Sequence, residues 1–343
     1  MPQYFSTFIT GFQEVIRNAL QKQLRDVEIK LLLDGLVVYK TNAPYQNIRG
    51  IRFFNNNYYM LRYFDRLKNK SIEYMMQAMV NNKKPLPNVS KEIIGRAGSF
   101  RIVASMENQT VSANRNLLAQ TEKFLSHQWR LKVNRSLPDI EVWFLLRSEG
   151  NAFVGVRRRE GKNDKKNFAK GELRPEMANL LCCISEPDKE DIVLDPFAGS
   201  GAIPMERAIA FPYQKIIASD RNPELFKKLS VRFRKKSNKI ILGNWDALHL
   251  NQLEDQSVDK IVTDPPWGLY SHQDIDLQAF YEDMLVEFNR ILKAEGTLVI
   301  LTAQKILFER AIDTIPKLSL VKKFDVLVSG KKAGIYKVQK THG

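Results

Sequence analysis

The sequence Asp-Ile-Val-Leu-Asp-Pro-Phe-Ala-Gly-Ser-Gly occupies residues 191–201 and sets the pattern of the C-terminal half. The apolar run before Asp195 predicts a buried strand, Gly199 and Gly201 predict a tight turn, and residues 202–209 predict a helix. This order is the one by which a Rossmann-like sheet brings its backbone close to a ligand. The turn lacks the Gly-Lys-Ser/Thr of a phosphate loop, and no third glycine follows at the spacing typical of nicotinamide sites. Both of those site types are therefore disfavoured.

Strands and helices alternate from residue 171 onward, which predicts a parallel sheet with helices on both faces. A helix is expected after Arg174-Pro175. The remaining apolar runs predict strands over residues 215–219, 240–242, 296–302, 324–329 and 334–338, and a short apolar run at Ile261-Val262 predicts another directly before Asp264.

Residues 264–267, Asp-Pro-Pro-Trp, follow one of these strands directly. The two prolines remove two backbone donors and fix two φ angles, so the loop leaves the strand along a stiff, extended path. Such a loop can hold the Asp264 carboxylate, the Pro265 carbonyl and the Trp267 ring in one array of two acceptors and a stacking plate. The array suits a flat group that carries an amine, such as a nucleobase. Taken alone, the residues also fit a Pro-Pro turn followed by a core tryptophan.

The heptapeptide Asp-Pro-Phe-Ala-Gly-Ser-Gly resembles motif I of class I S-adenosylmethionine methyltransferases. The resemblance implies a Rossmann-like α/β domain with seven strands and a closing antiparallel hairpin, with S-adenosyl-L-methionine as cofactor and S-adenosylhomocysteine as product. Asp220 ends the next strand about 20 residues later, where a carboxylate can accept two ribose hydroxyls. By resemblance, Asp246 accepts from the adenine amino group and Ala247 supplies a backbone amide. The expected cofactor-binding residues are Asp195, Phe197, Ala198, Gly199, Ser200, Gly201, Asp220, Arg221, Asn222, Asp246, Ala247 and Asp264.

Transfer of a methyl group to an amine needs little beyond in-line positioning and desolvation. The expected catalytic set is Asp264, Pro265, Pro266 and Trp267, in which two acceptors hold the amine hydrogens and the indole stacks on the base. Cys182 and Cys183 lie in a helix upstream of motif I and are expected to be core residues, so methylation through a cysteine adduct is disfavoured. Their adjacency offers neither a disulfide framework nor a metal-ligand spacing, and no metal is expected.

The positive charge is confined to one half of the chain. Residues 1–170 hold 29 Lys and Arg against 14 Asp and Glu, a net charge of +15, whereas residues 171–343 hold 24 of each and are neutral. A field of one sign on one half of a protein suits a polyanionic partner. A solvated basic surface without a partner is the alternative.

The N-terminal half contains predicted strands and helices of an α+β region, among them a hairpin around Asp34-Gly35 and a strand pair near residues 51–54 and 58–64. Residues 1–85 are assigned to a ferredoxin-like module and residues 86–158 to a second module. The second resembles the THUMP RNA-binding domain through Phe100-Arg-Ile-Val-Ala104, Pro138-Asp139 and Val154-Gly-Val156. A basic linker over 159–172 and a methyltransferase domain over 173–343 complete the expected organisation. The expected RNA contacts are Arg157, Arg158, Arg159, Arg174 and Trp267.

This combination resembles the tRNA guanine-N2 methyltransferases that act at position 6 or 10, strongly over residues 172–340 and weakly over 1–90. The resemblance implies methylation of the N2 amine of a guanosine in tRNA. The family's aromatic residue is often Tyr or Phe, whereas this chain has Trp267, so amino-methylation of ribosomal RNA or DNA stays open. A binding protein with a vestigial catalytic half is a third alternative. The chain carries no evident leader or membrane span, and a cytoplasmic monomer is expected.

Overall fold

The computed structural model describes residues 1–67, 71–81, 86, 89, 91–159, 172–235, 237–268, 276–328 and 330–342. The chain divides into two compact units. One unit contains Met1–Thr7 and Leu20–Asn167, and the other contains Phe8–Ala19 and Phe168–Gly343. Within the described ranges, no helix is long and apolar enough to cross a membrane.

The first unit is built on a nine-stranded sheet. Its strands are β1 (Gln3–Thr7), β2 (Glu28–Leu33), β3 (Leu36–Lys40), β4 (Asn56–Phe64), β5 (Ser99–Met106), β6 (Gln109–Val111), β7 (Lys132–Val133), β8 (Ile140–Leu146) and β9 (Ala152–Arg158). Its helices are α2 (Tyr45–Arg49), α3 (Ile72–Val80), α4 (Lys91–Ile94) and α5 (Arg115–Trp129). The end of α1 (Gln13–Gln23), from Leu20 onward, also belongs to this unit. The strand order is β2-β3-β1-β4-β9-β8-β5-β6, with β7 beside β5.

Strands from both predicted N-terminal modules share this sheet, because β4 pairs antiparallel with β9. The division at residues 85 and 86 and the THUMP assignment stay predictions. The expected hairpin around Asp34-Gly35 is confirmed by the antiparallel pairing of β2 with β3. A strand expected over residues 51–54 is wrong: the segment forms a turn after α2, and it buries Ile51, Phe53 and Phe54 without strand pairing.

The second unit is built on a seven-stranded sheet. Its strands are β10 (Ile192–Asp195), β11 (Lys215–Ser219), β12 (Ile240–Gly243), β13 (Val258–Thr263), β14 (Leu292–Thr302), β15 (Leu318–Val328) and β16 (Lys331–Lys340). Its helices are α6 (Pro175–Ile184), α7 (Ala202–Ala210), α8 (Pro223–Arg232), α9 (Leu277–Ile291) and α10 (Lys305–Asp313).

The strand order β12-β11-β10-β13-β14-β16-β15 places β10, which comes first of these strands in the chain, inside the sheet between β11 and β13. The pairs from β12 through β14 are parallel, and β16 pairs antiparallel with both β14 and β15. The expected parallel sheet with a closing antiparallel hairpin is therefore confirmed. The chain passes from β10 outward to β11 and β12 and then crosses back to β13 on the other side of β10. A sheet of this topology is expected to form a crevice at the carboxyl ends of β10 and its neighbours. The main core cluster of the unit includes Phe288, Leu298, Ile300 and Tyr336.

The segment Phe8–Ala19 belongs to the second unit, although the sequence that follows it, Leu20–Asn167, belongs to the first. The Phe12 ring stacks on Phe324 with a centroid separation of 6.2 Å, and Glu14 forms an ion pair with Lys322. Both partners lie on β15, the edge strand of the sheet. The segment therefore packs on the edge strand of the sheet, a position that natural sheets often cover with a helix or loop.

Gly11 is expected not to tolerate a side chain, because its backbone lies directly against the backbone of Asp325. At its φ of +90°, a Cβ would lie 2.3 Å from the Asp325 carbonyl oxygen, whereas a Cβ at Gly330, with φ of +80°, would meet open space. Gly330→Ala should cost about 1 kcal/mol of unfolding free energy, and Gly11→Ala should cost at least about 2 kcal/mol. Thermal unfolding of both variants measures the difference. Equal losses would show that the segment does not pack closely on β15.

Candidate active site

The glycine-rich turn of residues 195–201 lies at the carboxyl end of β10 and leads into α7. Gly199 has φ of +54° and Gly201 has φ of +90°, a region that side-chain-bearing residues rarely occupy. A Cβ on Gly201 would lie 2.7 Å from Leu229 and 2.9 Å from Phe233, so this glycine allows close packing against α8. A Cβ on Gly199 would meet no atom within 4 Å. Gly199 thus faces open space that a ligand can enter.

The Asp220 carboxylate ties the next strand to this turn. Its Oδ2 accepts from the Gly199 backbone N–H at 2.9 Å, and its Oδ1 accepts from the Asn222 N–H at 2.9 Å. The Asn244 side chain donates to the Asp220 carbonyl at 2.7 Å. These bonds fix the carboxylate beside the Gly199 turn, and its role in accepting ribose hydroxyls stays a prediction.

Asp246 follows β12 on the same side of the sheet. Its Oδ1 accepts from the Leu248 N–H at 3.1 Å, and its Oδ2 lies 3.8 Å from the Arg221 guanidinium. Its side chain is 39% exposed, so the carboxylate keeps access to solvent or a ligand. Ala247 is buried directly after it.

Several of the expected cofactor-binding side chains are engaged by protein groups. Ser200 Oγ donates to Glu172 at 2.9 Å. The Asn222 side chain caps α8 by accepting from the Glu224 and Leu225 N–H groups. The Phe197 ring packs at 5.9 Å from Phe280. A direct contact of these side chains with a ligand stays a prediction.

The Asp-Pro-Pro-Trp loop begins where β13 ends. Asp264 is half-buried, Pro265 is buried and Pro266 is exposed. The half-buried Trp267 turns the edge of its ring toward the carboxylate, and its Nε1–H donates to Asp264 Oδ1 at 3.0 Å. The alternative of a core tryptophan after a simple turn does not fit, because this indole holds a carboxylate at the carboxyl edge of the sheet.

Two carboxyls at this edge are shifted toward the neutral form. Burial raises the pKa of Asp195 to about 8, against the effect of hydrogen bonds from Thr263 Oγ1 at 2.7 Å and the Phe197 N–H at 3.2 Å. The nearby Asp264 and Asp220 carboxylates raise it further. Burial also raises the pKa of Asp264 to about 7, although the Trp267 hydrogen bond lowers it. A positively charged ligand in this crevice would relieve the repulsion.

Three expected RNA contacts lie in the first unit, and Arg157 has a structural function there. Its Nε donates to Glu141 at 2.7 Å, and its guanidinium lies 5.2 Å from the Trp143 ring centroid. Arg101 pairs with the other oxygen of Glu141, which is 1% exposed. Although burial would raise the pKa of Glu141, the two arginines and the Trp143 N–H keep it below its usual range.

The other arginines differ in their surroundings. The Arg158 N–H donates to the Tyr45 hydroxyl at 3.2 Å, and Arg159 NH1 donates to the Ser136 carbonyl at 3.2 Å. Arg174 is exposed at the start of α6 in the second unit. Contact of these residues with RNA stays a prediction. Most of the expected basic linker, residues 160–171, lies outside the described residues.

Sequence reasoning missed two residues that support the site. Gln304 donates from Nε2 to the Trp267 carbonyl at 2.6 Å, although the two residues are far apart in sequence. Glu172 accepts from Ser200 and from Arg232, whose NH1 lies 3.0 Å away. Neither residue belongs to a recognisable motif, so only the fold reveals them. Cys182 is buried and Cys183 is partly buried, and neither lies in the crevice loops. In the described ranges, no group of three or more His, Cys, Asp or Glu side chains is arranged to hold a metal ion.

Comparison with known families agrees with this geometry. Residues 162–333, half of the chain, match the family model UPF0020, the RMKL-like methyltransferase domain. The chain belongs to this family. The expectation of a Rossmann-like methyltransferase domain is confirmed, and the crevice of the RMKL-like domain is its candidate active site.

Individual relatives have similar sequences or folds. The chain is 29% identical over 221 residues to a tRNA (guanine(6)-N(2))-methyltransferase THUMP3 of Bos taurus, covering 59% of this chain and 43% of that protein. It is 29% identical over 230 residues to a tRNA (guanine(6)-N2)-methyltransferase of Thermus thermophilus, covering 63% of this chain and 65% of that protein. The matches thus span less than two thirds of either relative. The structure of TrmN from Thermus thermophilus has the same fold, with a TM-score of 0.76, 22% identity and coverage of 99% of this chain and 100% of that chain.

The two glycines of the turn should separate packing from ligand binding. Gly201→Ala should lower the melting temperature more than Gly199→Ala does, because only its Cβ meets Leu229 and Phe233. Gly199→Ala should weaken binding of S-adenosylhomocysteine about tenfold, since its methyl group enters the open space. Thermal unfolding and calorimetric titration measure the two effects. Unchanged affinity in Gly199→Ala would contradict this assignment of the open space.

Asp264→Asn should raise the melting temperature by roughly 5 °C above pH 8 and change it little near pH 4. The carboxyl has a folded-state pKa of about 7 against an ordinary value of 3.8. Its contribution to stability is therefore full below about pH 4 and is lost as the pH rises through 7. Asparagine carries no charge and still offers an acceptor to Trp267.

Thermal unfolding of the wild type and Asp264→Asn across pH 4 to 9 tests this expectation. Asp313→Asn, at the exposed end of α10, is the matched control. A constant difference between Asp264→Asn and the wild type at every pH would contradict it.

Proposed function

We propose that this protein is an S-adenosyl-L-methionine-dependent methyltransferase that methylates the exocyclic N2 amine of a guanosine in tRNA. The observation that carries the proposal is the loop in which Asp264, held by the Trp267 indole at 3.0 Å, and the Pro265 carbonyl follow β13. The loop begins at the same edge of the sheet as the glycine turn. The relatives named as tRNA guanine-N2 methyltransferases support the choice of substrate.

The residues of the crevice fit the cofactor. Gly199 leaves open space at the turn, and Asp220 and Asp246 present carboxylates after the next two strands. Raised carboxyl pKa values at Asp195 and Asp264 indicate a site that a cationic group would stabilise, and the cofactor carries a sulfonium and an ammonium. When bound, S-adenosyl-L-methionine supplies a methyl group that is already activated for transfer.

The protein's own contribution is to prepare the amine. An exocyclic amine on a base is a weak nucleophile because its lone pair is delocalised into the ring. The Asp264 carboxylate and the Pro265 carbonyl can accept its two hydrogens, which favours a pyramidal nitrogen and aims the lone pair. Formation of the new N–C bond would break the bond between the methyl group and sulfur and leave neutral S-adenosylhomocysteine. The nitrogen sheds one proton, and ionised Asp264 is placed to receive it.

Charge supports an RNA substrate. The excess of +15 lies within residues 1–170, whereas the methyltransferase half is neutral. Each phosphate neutralised on such a surface releases counterions, so affinity for RNA should fall steeply with salt. We further infer that the protein acts in the cytoplasm as a monomer, where unmodified tRNA is available.

The test uses labelled S-adenosyl-L-methionine and unmodified tRNA transcripts, with digestion to nucleosides. Label should appear in N2-methylguanosine. Transcripts that lack guanosine at position 6 or at position 10 identify the target, because labelling is lost only when the methylated guanosine is replaced. Ribosomal RNA and duplex DNA are run in parallel. Label in adenosine or cytidine products, or preference for DNA, would overturn the proposal.

Asp264→Asn should lower the methylation rate about 100-fold or more, because it removes the charged acceptor at the amine. Its affinity for S-adenosylhomocysteine should change much less. Asp313→Asn is again the matched control and should retain wild-type activity. Full activity in Asp264→Asn would contradict the assigned role of the carboxylate.

A further inference from the structure

Gln304 lies at the same carboxyl edge as the Asp-Pro-Pro-Trp loop but on a different strand connection. It follows β14 and immediately precedes α10, as the N-cap residue of that helix. Its side chain makes no capping hydrogen bond, unlike those of Asn222 and Asp276 at the starts of α8 and α9. The amide instead reaches across to the loop and donates to the Trp267 carbonyl at 2.6 Å.

The backbone of Gln304 is itself anchored to the core. Its N–H donates to Thr302 Oγ1 at 3.0 Å, and this hydroxyl lies 2.7 Å from the Tyr281 hydroxyl. Thr302 and Tyr281 are both fully buried. Gln304 thus extends a rigid attachment from β14 and α9 to the loop.

The loop has a particular need for such an attachment. Pro265 and Pro266 have no N–H, so the tetrapeptide can make few backbone hydrogen bonds of its own. Trp267 is held at two points: its carbonyl by Gln304, and its indole by the hydrogen bond to Asp264 Oδ1 at 3.0 Å. Release of the carbonyl would allow the residue to rotate and take the indole N–H away from the carboxylate.

We propose that Gln304 is a positioning residue for amine methylation, which acts through Trp267 to keep the indole N–H on Oδ1 and leave Oδ2 for the substrate amine. This inference rests on the proposed function and deepens it. It also gives a reason for a tryptophan at this position, because a phenylalanine ring would stack but could not donate to Asp264. Gln304 and Trp267 therefore act together to position the Asp264 carboxylate.

The experiment compares Gln304→Met, which keeps the length but loses the donor, with Gln304→Lys, which restores a donor. Gln339→Met is the matched control, since Gln339 lies on β16 and donates a side-chain hydrogen bond to Glu295 near the amino end of β14, at the opposite end of that strand from Gln304. Gln304→Met should lower kcat about 10- to 100-fold. Its melting temperature should stay close to that of the wild type, and its KM for the cofactor and its affinity for S-adenosylhomocysteine should stay within about twofold of wild type. Gln304→Lys should recover most of the rate, and Gln339→Met should lose none.

A second readout does not depend on catalysis. The fluorescence difference between the wild type and Trp267→Phe, followed from pH 5 to 9, should report titration of Asp264 with a midpoint near 7. The same difference measured in the Gln304→Met background should show a smaller amplitude and a higher midpoint, because the indole no longer stabilises the ionised carboxylate.

Unchanged kcat and an unchanged titration in Gln304→Met would overturn the inference. Parallel losses of stability, cofactor affinity and rate would also overturn it, because they indicate a general structural role. If the wild type methylates no tRNA, the proposed function fails, and the fluorescence titration alone decides whether Gln304 positions Trp267.

Discussion

The parallel alignment of five neighbouring strands is the constraint on which the site depends. Because β10, β11, β12 and β13 run in the same direction, the acidic residues that follow them reach one edge of the sheet. Carboxylates brought so close to one another repel, and burial adds a desolvation cost to Asp195 and Asp264. The fold tolerates this cost because the Thr263 hydroxyl, backbone N–H groups and the Trp267 indole compensate part of it. The negative charge of these carboxylates is therefore incompletely balanced by the surrounding protein groups, which suits recognition of a cation.

Most of the second unit could be predicted from sequence because its signals are local. A strand, a glycine turn and a helix follow one another within twenty residues, and the bounds of β11 agree with the expected 215–219. The motif residues also lie where the strand ends predict them. Gln304 and Glu172 could not be found in this way, since each acts through one side chain on a residue distant in sequence. A glutamine before a helix usually indicates nothing more than a helix start.

The first unit shows a different limit of sequence reasoning. In the sequence, a run of three arginines after a predicted strand favours an interpretation as phosphate contacts, because basic side chains normally lie in solvent, where a phosphate can reach them. Arg157 also compensates the buried charge of Glu141 together with Arg101, a pairing that depends on the register of β5, β8 and β9, and its contact with RNA stays a prediction. Removal of one partner of a buried pair leaves an uncompensated charge and costs several kcal/mol. Substitution of Arg157 would thus damage the sheet as well as any RNA surface, and the two effects must be separated.

The cover on β15 has a consequence for how the protein is made. Residues 8–19 leave the ribosome long before residues 318–328, yet the two pack together in the folded unit through Phe12 and Phe324. Until β15 has been synthesised, the early segment lacks the strand on which Phe12 packs in the folded unit. Contacts of such large sequence separation slow folding and lengthen the time in which a chain can aggregate. The second unit is therefore completed only after β15 has been synthesised, by a segment that precedes it by about 300 residues in the chain.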